Sequence, residues 1–371
     1  MLNYLKTVAN NLPGWHTHRK IIVIESDDWG SIRMPSREVY LKLLAKGYAV
    51  DACHYNRNDR LESNKDLELL FELLLHFKDH MGRHPVITAN TIMCNPDFEK
   101  IRQSNFYQYY HETFSETLSK YPDSDKVLSY YLSGITSNIF YPQFHGREHV
   151  NIYTWLNALQ KGDKIAREIF DYEMFTVHYL NNTSCRKEYL DSFGTHTSDQ
   201  LVSIEDSVSE GLQTFKKNFG FESESFIATC YTWHPLIEKY LHEKGVTIIQ
   251  SGRVQKAPKI GREGYKHIRH YTGQRNQFHQ IYTVRNVIFE PSENPDKDWV
   301  DAALKEIKLA FACKKPAVVS MHRVNFIGSI HADNRSKNLK LFQDLLKKIL
   351  QLWPDVEFMN TAELGRMMMN R

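Results

Sequence analysis

The chain has little that would tie it to an oxidising compartment, a membrane or a polyanion. Five cysteines stand among 371 residues. Cys53, Cys94, Cys185, Cys230 and Cys313 lie far apart with no CxxC pair. That spacing excludes a disulfide frame or a cysteine zinc cluster and fits reduced thiols. No stretch approaches the ~20 apolar residues of a membrane span. Residues 1–14 are broken by Asn3, Lys6, Asn10 and Asn11, so a secretory leader is not expected, and the reading is cytoplasmic. The formal net charge is only +3 and Lys and Arg are dispersed, which argues against a nucleic-acid partner. Repeats, low-complexity tracts and Pro/Gly linkers are also missing. One domain spanning 1–371 is expected, its core at about 20–360, with insertions at about 95–135 and 172–202.

What the chain does have is a buried-strand pattern. Ile21-Ile22-Val23-Ile24 is an unbroken β-branched run, as in the interior of a parallel sheet. It ends in Asp27 and Asp28. Chemistry in parallel α/β folds collects at the carboxyl ends of strands. Two adjacent carboxylates there raise each other's pKa unless a metal or a proton offsets them; the other reading is that one of them caps a short helix. Helices are expected over 36–46, 63–80 (opened by a Ser63/Asp66 capping pair and closed by Gly82), 151–171, 203–218, 235–244, 298–313 and 339–352. Strands are expected at 85–90, 225–231, 246–250, 282–290, 316–322 and 356–359. Residues 95–134 are rich in Phe and Tyr, suited to packing on the rim or to stacking on sugar rings. Residues 175–197 read as an insertion and 252–280 as a mobile basic excursion. Seven or eight β/α alternations predict a distorted (β/α) barrel.

Three polar features stand in sequence order: the strand-end pair Asp27 and Asp28, then His145 and His149, then His322 closing the apolar run Ala317–Met321. Histidines four apart present nitrogens on one side of a helical turn. Two imidazoles and a carboxylate make a ligand set for a catalytic divalent ion that keeps a position open. With 18 histidines in the chain, HxxxH alone is weak, and the order of the three features is what gives it weight.

On these residues the chain resembles the polysaccharide deacetylases, the NodB-like carbohydrate esterases. Ser26-Asp27-Asp28-Trp29-Gly30 is similar to the TFDDG-like motif, His145-Gly146-Arg147-Glu148-His149 to the HSxxH-like motif, and Val318–His322 to the LxH-like strand. The resemblance implies a distorted barrel that hydrolyses an N- or O-acetyl group on a sugar. Asp28, His145 and His149 would then hold a divalent metal, zinc first, with cobalt, nickel or manganese as alternatives. Asp27 would be the base and His322 the general acid. The chain departs from the family where an RxPY-like arginine belongs, at Phe226–Tyr231. Arg33, Arg253 and Arg323 are candidates to tether the base instead. Gly146 also stands where the histidine motif has Ser or Thr. Trp29, Tyr231, Trp233, Arg323 and Asn325 are candidates for substrate contact. A catalytically degenerate carbohydrate-binding barrel and a glycoside hydrolase on a related barrel are the competing readings.

Overall fold

The computed structural model describes residues 11–177 and 189–370. Thirteen strands occur among them: β1 (Lys20–Trp29), β2 (Ile87–Ile92), β3 (Cys94–Pro96), β4 (His111–Thr113), β5 (Phe140–Gly146), β6 (Ser225–Ile227), β7 (Ile248–Ser251), β8 (Val254–Pro258), β9 (Tyr265–Arg269), β10 (Ile281–Val284), β11 (Val287–Ile288), β12 (Ala317–His322) and β13 (Val356–Met359). The architecture is α/β, built on one curled sheet in the order β10-β7-β6-β5-β2-β1-β12-β11, with β13 also on β1. Every pairing within that sheet is parallel.

β1 is the centre of this sheet. Ile21 to Ile24 are all 2% exposed or less, as expected of a strand covered on both faces. Its first half pairs with β13 and its second half with β2, while β12 runs along its other side. The two sheet edges, β10 and β11, are consecutive in the chain and separated only by Arg285 and Asn286. The sheet therefore curls until its ends almost meet, a distorted barrel with a seam. Asn286 closes that seam: its backbone N–H donates to the Val318 carbonyl at 3.1 Å, and its side chain accepts from Val318 N–H at 2.8 Å.

Helices cover the outside. Ser63 caps the helix Asn64–Leu75 in a reciprocal capping box with Asp66, but that helix stops at Leu75, short of Gly82. The expected helix over 151–171 is two, Ile152–Gln160 and Lys164–Phe170, with Gly162 at positive φ between them. The last long helix begins at Ala332, earlier than its apolar pattern indicates, and a further helix, Thr361–Met369, follows β13. The aromatic segment 95–134 folds into the β3–β4 hairpin and three short helices. Several of its rings pack inward, whereas Tyr107 is exposed: Phe98 and Phe106 pack on Phe170, and Phe114 and Tyr131 join the main cluster. Residues 252–280 hold a β8–β9 hairpin, and His270 stacks on Tyr282 at 3.9 Å. Part of the insertion expected at 172–202, residues 178–188, lies outside the described residues. Among the described residues no helix is long and apolar enough to cross a membrane.

Candidate active site

Register alone brings the first two groups together: Asp27 of β1 is the direct partner of His322 of β12 at the carboxyl end of the sheet. Regular alternation would then send Asp27 and Asp28 to opposite faces. The chain avoids this with a local distortion. Asp28 has φ +75°, and the β1–β2 register breaks between Ser26 and Trp29. A left-handed aspartate is strained, and such strain collects at functional sites. Both carboxylates consequently line one cleft of about 630 Å³, with Arg33, His54, Tyr55, His145, His149, Tyr231, Glu290 and His322 among its other walls.

His145 lies on the end of β5, and His149 follows in a loop. The pair is not presented by a helical turn, which corrects the reading from spacing. Gly146 makes the arrangement possible. Its φ is +133°, and a Cβ there would meet the Phe193 ring and the Glu148 carbonyl oxygen at 3.2 Å. Serine at this position would be strained, so the departure from the HSxxH-like motif has a local cause. His145 Nδ1 lies 2.9 Å from the Ile227 carbonyl. A carbonyl only accepts, so Nδ1 carries a proton and Nε2 is the nitrogen that would face a metal. His145 Nε2 and His149 Nε2 stand 3.4 and 3.1 Å from Asp28 Oδ1.

The donor set fits a divalent metal. One ligand atom from each of Asp28, His145 and His149 lies within 4.8 Å of the others, and all three residues are buried. The chemistry of two neutral imidazoles and a carboxylate suits zinc and its neighbours. The carbonyl behind His145 is the outer support such a ligand uses. Burial, with Arg33 beside it, lowers the His149 pKa to about 4, leaving the ring neutral. Asp28 is held well below the usual carboxylate range: burial opposes ionisation, but the Arg33 guanidinium leads the effects that outweigh it.

Asp27 is clamped by a residue absent from the sequence candidates. Arg285, at the barrel seam, donates from Nη2 to Asp27 Oδ1 at 2.6 Å and from Nη1 to Oδ2 at 2.7 Å. Its Nε reaches Glu25 at 2.7 Å, and Asn90 adds a bond to Asp27 Oδ1 at 2.8 Å. Burial alone would raise the Asp27 pKa; the guanidinium reverses this and keeps the carboxylate ionised. Neither Arg253 nor Arg323 lines the cleft, and Arg33 serves Asp28 instead. Arg285 was hidden because 282–290 reads as one strand. The signal was the polar Arg285-Asn286 pair interrupting that run.

His322 is tied to a second missed residue, Glu290, with Nδ1 and Oε2 2.5 Å apart. Burial lowers an imidazole pKa, but the adjacent carboxylate dominates and raises this one to about 9. His322 Nε2 faces Asp27 Oδ2 at 3.9 Å.

The expected substrate contacts divide. Tyr231 lines the cleft, and its hydroxyl accepts from Arg285 Nη1 at 3.2 Å. Trp29, Trp233, Arg323 and Asn325 are each fully buried and do not line it, so those four expectations are corrected. Trp29 packs edge-on against Phe140 and donates to Ser26. Trp233 donates to Glu238. Arg323 forks onto Asp59 and reaches Glu62, because two buried carboxylates there need a cation. Asn325 donates to the second oxygen of Glu290 at 2.6 Å and so orients the partner of His322. Cys230, expected inside a strand, lines the cleft from a short turn at φ +55°.

No family model matches the chain, and no curated protein matches it. Solved structures that match include a protein assigned as a polysaccharide deacetylase from Mycobacterium smegmatis, at 8% identity over 96% of this chain and 92% of that one, with a TM-score of 0.46. Puue allantoinase matches at 8% identity over 95% and 91%, with a TM-score of 0.47. A CE4 family pseudoenzyme from Bacillus anthracis matches at 10% identity over 94% and 66%, with a TM-score of 0.38. At these scores the likenesses identify neither a family nor a reaction.

Proposed function

We propose that the protein is a metal-dependent hydrolase that removes an acetyl group from an N- or O-acetylated sugar or polysaccharide precursor. The observation that carries this reading is the pair of opposed proton-handling dyads beside the Asp28/His145/His149 triad. Asp27 with Arg285 is held ionised, and His322 with Glu290 is held protonated. Environments that push two titratable groups apart mark out a base and an acid.

A divalent cation held by Asp28, His145 and His149 would supply Lewis acidity to a water and to the acetyl carbonyl. Asp27, as the base, accepts the proton of the attacking water. Its clamp keeps it ionised at any working pH, at some expense of basicity. Arg285 and Asn90 fix the orientation of that carboxylate. His322 then donates its proton to the leaving nitrogen or oxygen as the carbon–heteroatom bond breaks, and Glu290 stabilises the imidazolium until that moment. Tyr55 packs edge-on against the His322 ring at 5.3 Å and limits its rotation. Tyr231 offers an aromatic wall for a sugar. In this reading the whole chain serves one barrel domain working in the cytoplasm.

The experiment is acetate release from N-acetylglucosamine oligomers and from an O-acetylated sugar. Protein stripped by chelator is compared with protein reloaded with Zn, Co, Ni or Mn. Acetate release that depends on reloading supports the reading. Sugar binding without acetate release under every metal would replace it with the degenerate carbohydrate-binding barrel.

A further inference from the structure

Asp28 has two oxygens, and Oδ1 is the one that both imidazoles approach, at 3.4 and 3.1 Å. Oδ2 accepts from Arg33 Nη2 at 2.9 Å. The same nitrogen stands 3.4 Å from His149 Nε2, the ring atom that a metal would need. Arg33 is only 7% exposed and is braced from behind. Its Nε lies 3.7 Å from Asp59 Oδ2, Asp59 is forked by Arg323 at 3.0 and 3.1 Å, and Arg323 Nη1 donates to Glu62 at 2.7 Å. Asp28, Arg33, Asp59, Arg323 and Glu62 thus form a buried row of alternating charge running from the triad into the core. The Arg33 guanidinium also lies over the Tyr55 ring at 5.7 Å. Swinging it away would leave Asp59 facing one cation fewer in a buried setting, which is costly.

We infer that Arg33 is a built-in counter-cation of the metal site. It keeps the empty triad assembled, restricts Asp28 to one-oxygen ligation and loosens the hold on any incoming ion. The inference rests on the metal reading of Asp28, His145 and His149. The physical reason is direct. Arg33 and a dication compete for the same carboxylate and the same imidazole nitrogen, and like charges a few ångströms apart in a buried site repel. Arg33 is a positioning residue here and is given no contact with substrate.

The test is zinc affinity, measured by competition with a chelating indicator on metal-stripped full-length protein. Arg33→Gln should bind zinc at least ~10-fold more tightly than wild type, because one opposing charge is gone. Arg33→Lys, which keeps the charge, should stay within ~3-fold of wild type. Equal or weaker binding by Arg33→Gln overturns the inference and leaves the metal reading standing. Binding by neither protein overturns both. Binding by Arg33→Gln alone overturns the metal-dependent reading and with it the inference, because Arg33 would then fill the site in place of an ion. A zinc-soaked crystal of wild type gives an answer that needs no variant to fold. Zinc on Oδ1, with Oδ2 still on Arg33, supports the inference; Asp28 chelating with both oxygens and Arg33 displaced overturns it.

Discussion

Replacing Glu290 with glutamine removes one charge while keeping the side chain's size. His322 Nδ1 and Glu290 Oε2 are 2.5 Å apart, and the carboxylate raises the imidazole to about 9 against the opposing effect of burial. Without it, burial is opposed only by the more distant aspartates, and the ring returns to its ordinary pKa of about 6.5 or below. A general acid works only when protonated. At pH 8 a group of pKa 9 is ~90% protonated and one of pKa 6.5 only ~3%, so kcat/KM should fall ~30-fold, whereas at pH 6 the loss should stay under ~2-fold. Stability follows with the same sign. A raised folded-state pKa contributes stability that is complete below about 6.5 and is lost as pH rises through about 9. That contribution is ~3 kcal/mol at most, at ~1.4 kcal/mol per pKa unit, and Glu290→Gln should lack the alkaline decline. The assay is acetate release by metal-loaded wild type and Glu290→Gln from about pH 5.5 to 9.5, with thermal melts in the same buffers. A loss of equal size at every pH, or an alkaline limb that stays near 9 in the variant, would refute the assignment of acid and partner.

His145→Ala or His149→Ala should each lower zinc content, measured by elemental analysis, by ~10-fold or more, since each removes one of the three residues proposed to hold the ion. Asp27→Asn should retain metal and melting temperature within experimental scatter while losing most acetate release; loss of metal in Asp27→Asn but not in Asp28→Asn would reverse the two roles. Arg323→Met should lower unfolding free energy by about 3–5 kcal/mol in a denaturant titration, because Asp59 and Glu62 are both fully buried and would lose their shared cation. An unchanged stability with altered substrate affinity would restore Arg323 to the cleft. Gly146→Ser should cost about 1–3 kcal/mol by the same measurement, from side-chain strain at φ +133°.

The amino-acid order by itself determined the α/β alternation, the buried central strand and the three polar features that line the cleft. Ile21 to Ile24 could only be a doubly covered strand, and a parallel strand carries its end residues to one edge of the sheet. Asp27 and His322 followed from that rule, because strand ends are local features of a sequence. The partners of these groups did not follow. Arg285 acts across 258 residues of chain on Asp27, and Glu290 becomes the partner of His322 only once β11 pairs in parallel with β12. Local pattern carries no information about which charged residue a curled sheet folds inward. The same limit misplaced Trp29, Trp233, Arg323 and Asn325. Proximity to a strand end says that a residue is near the mouth of the barrel, and only packing decides whether its side chain faces the cleft or fills the wall behind it.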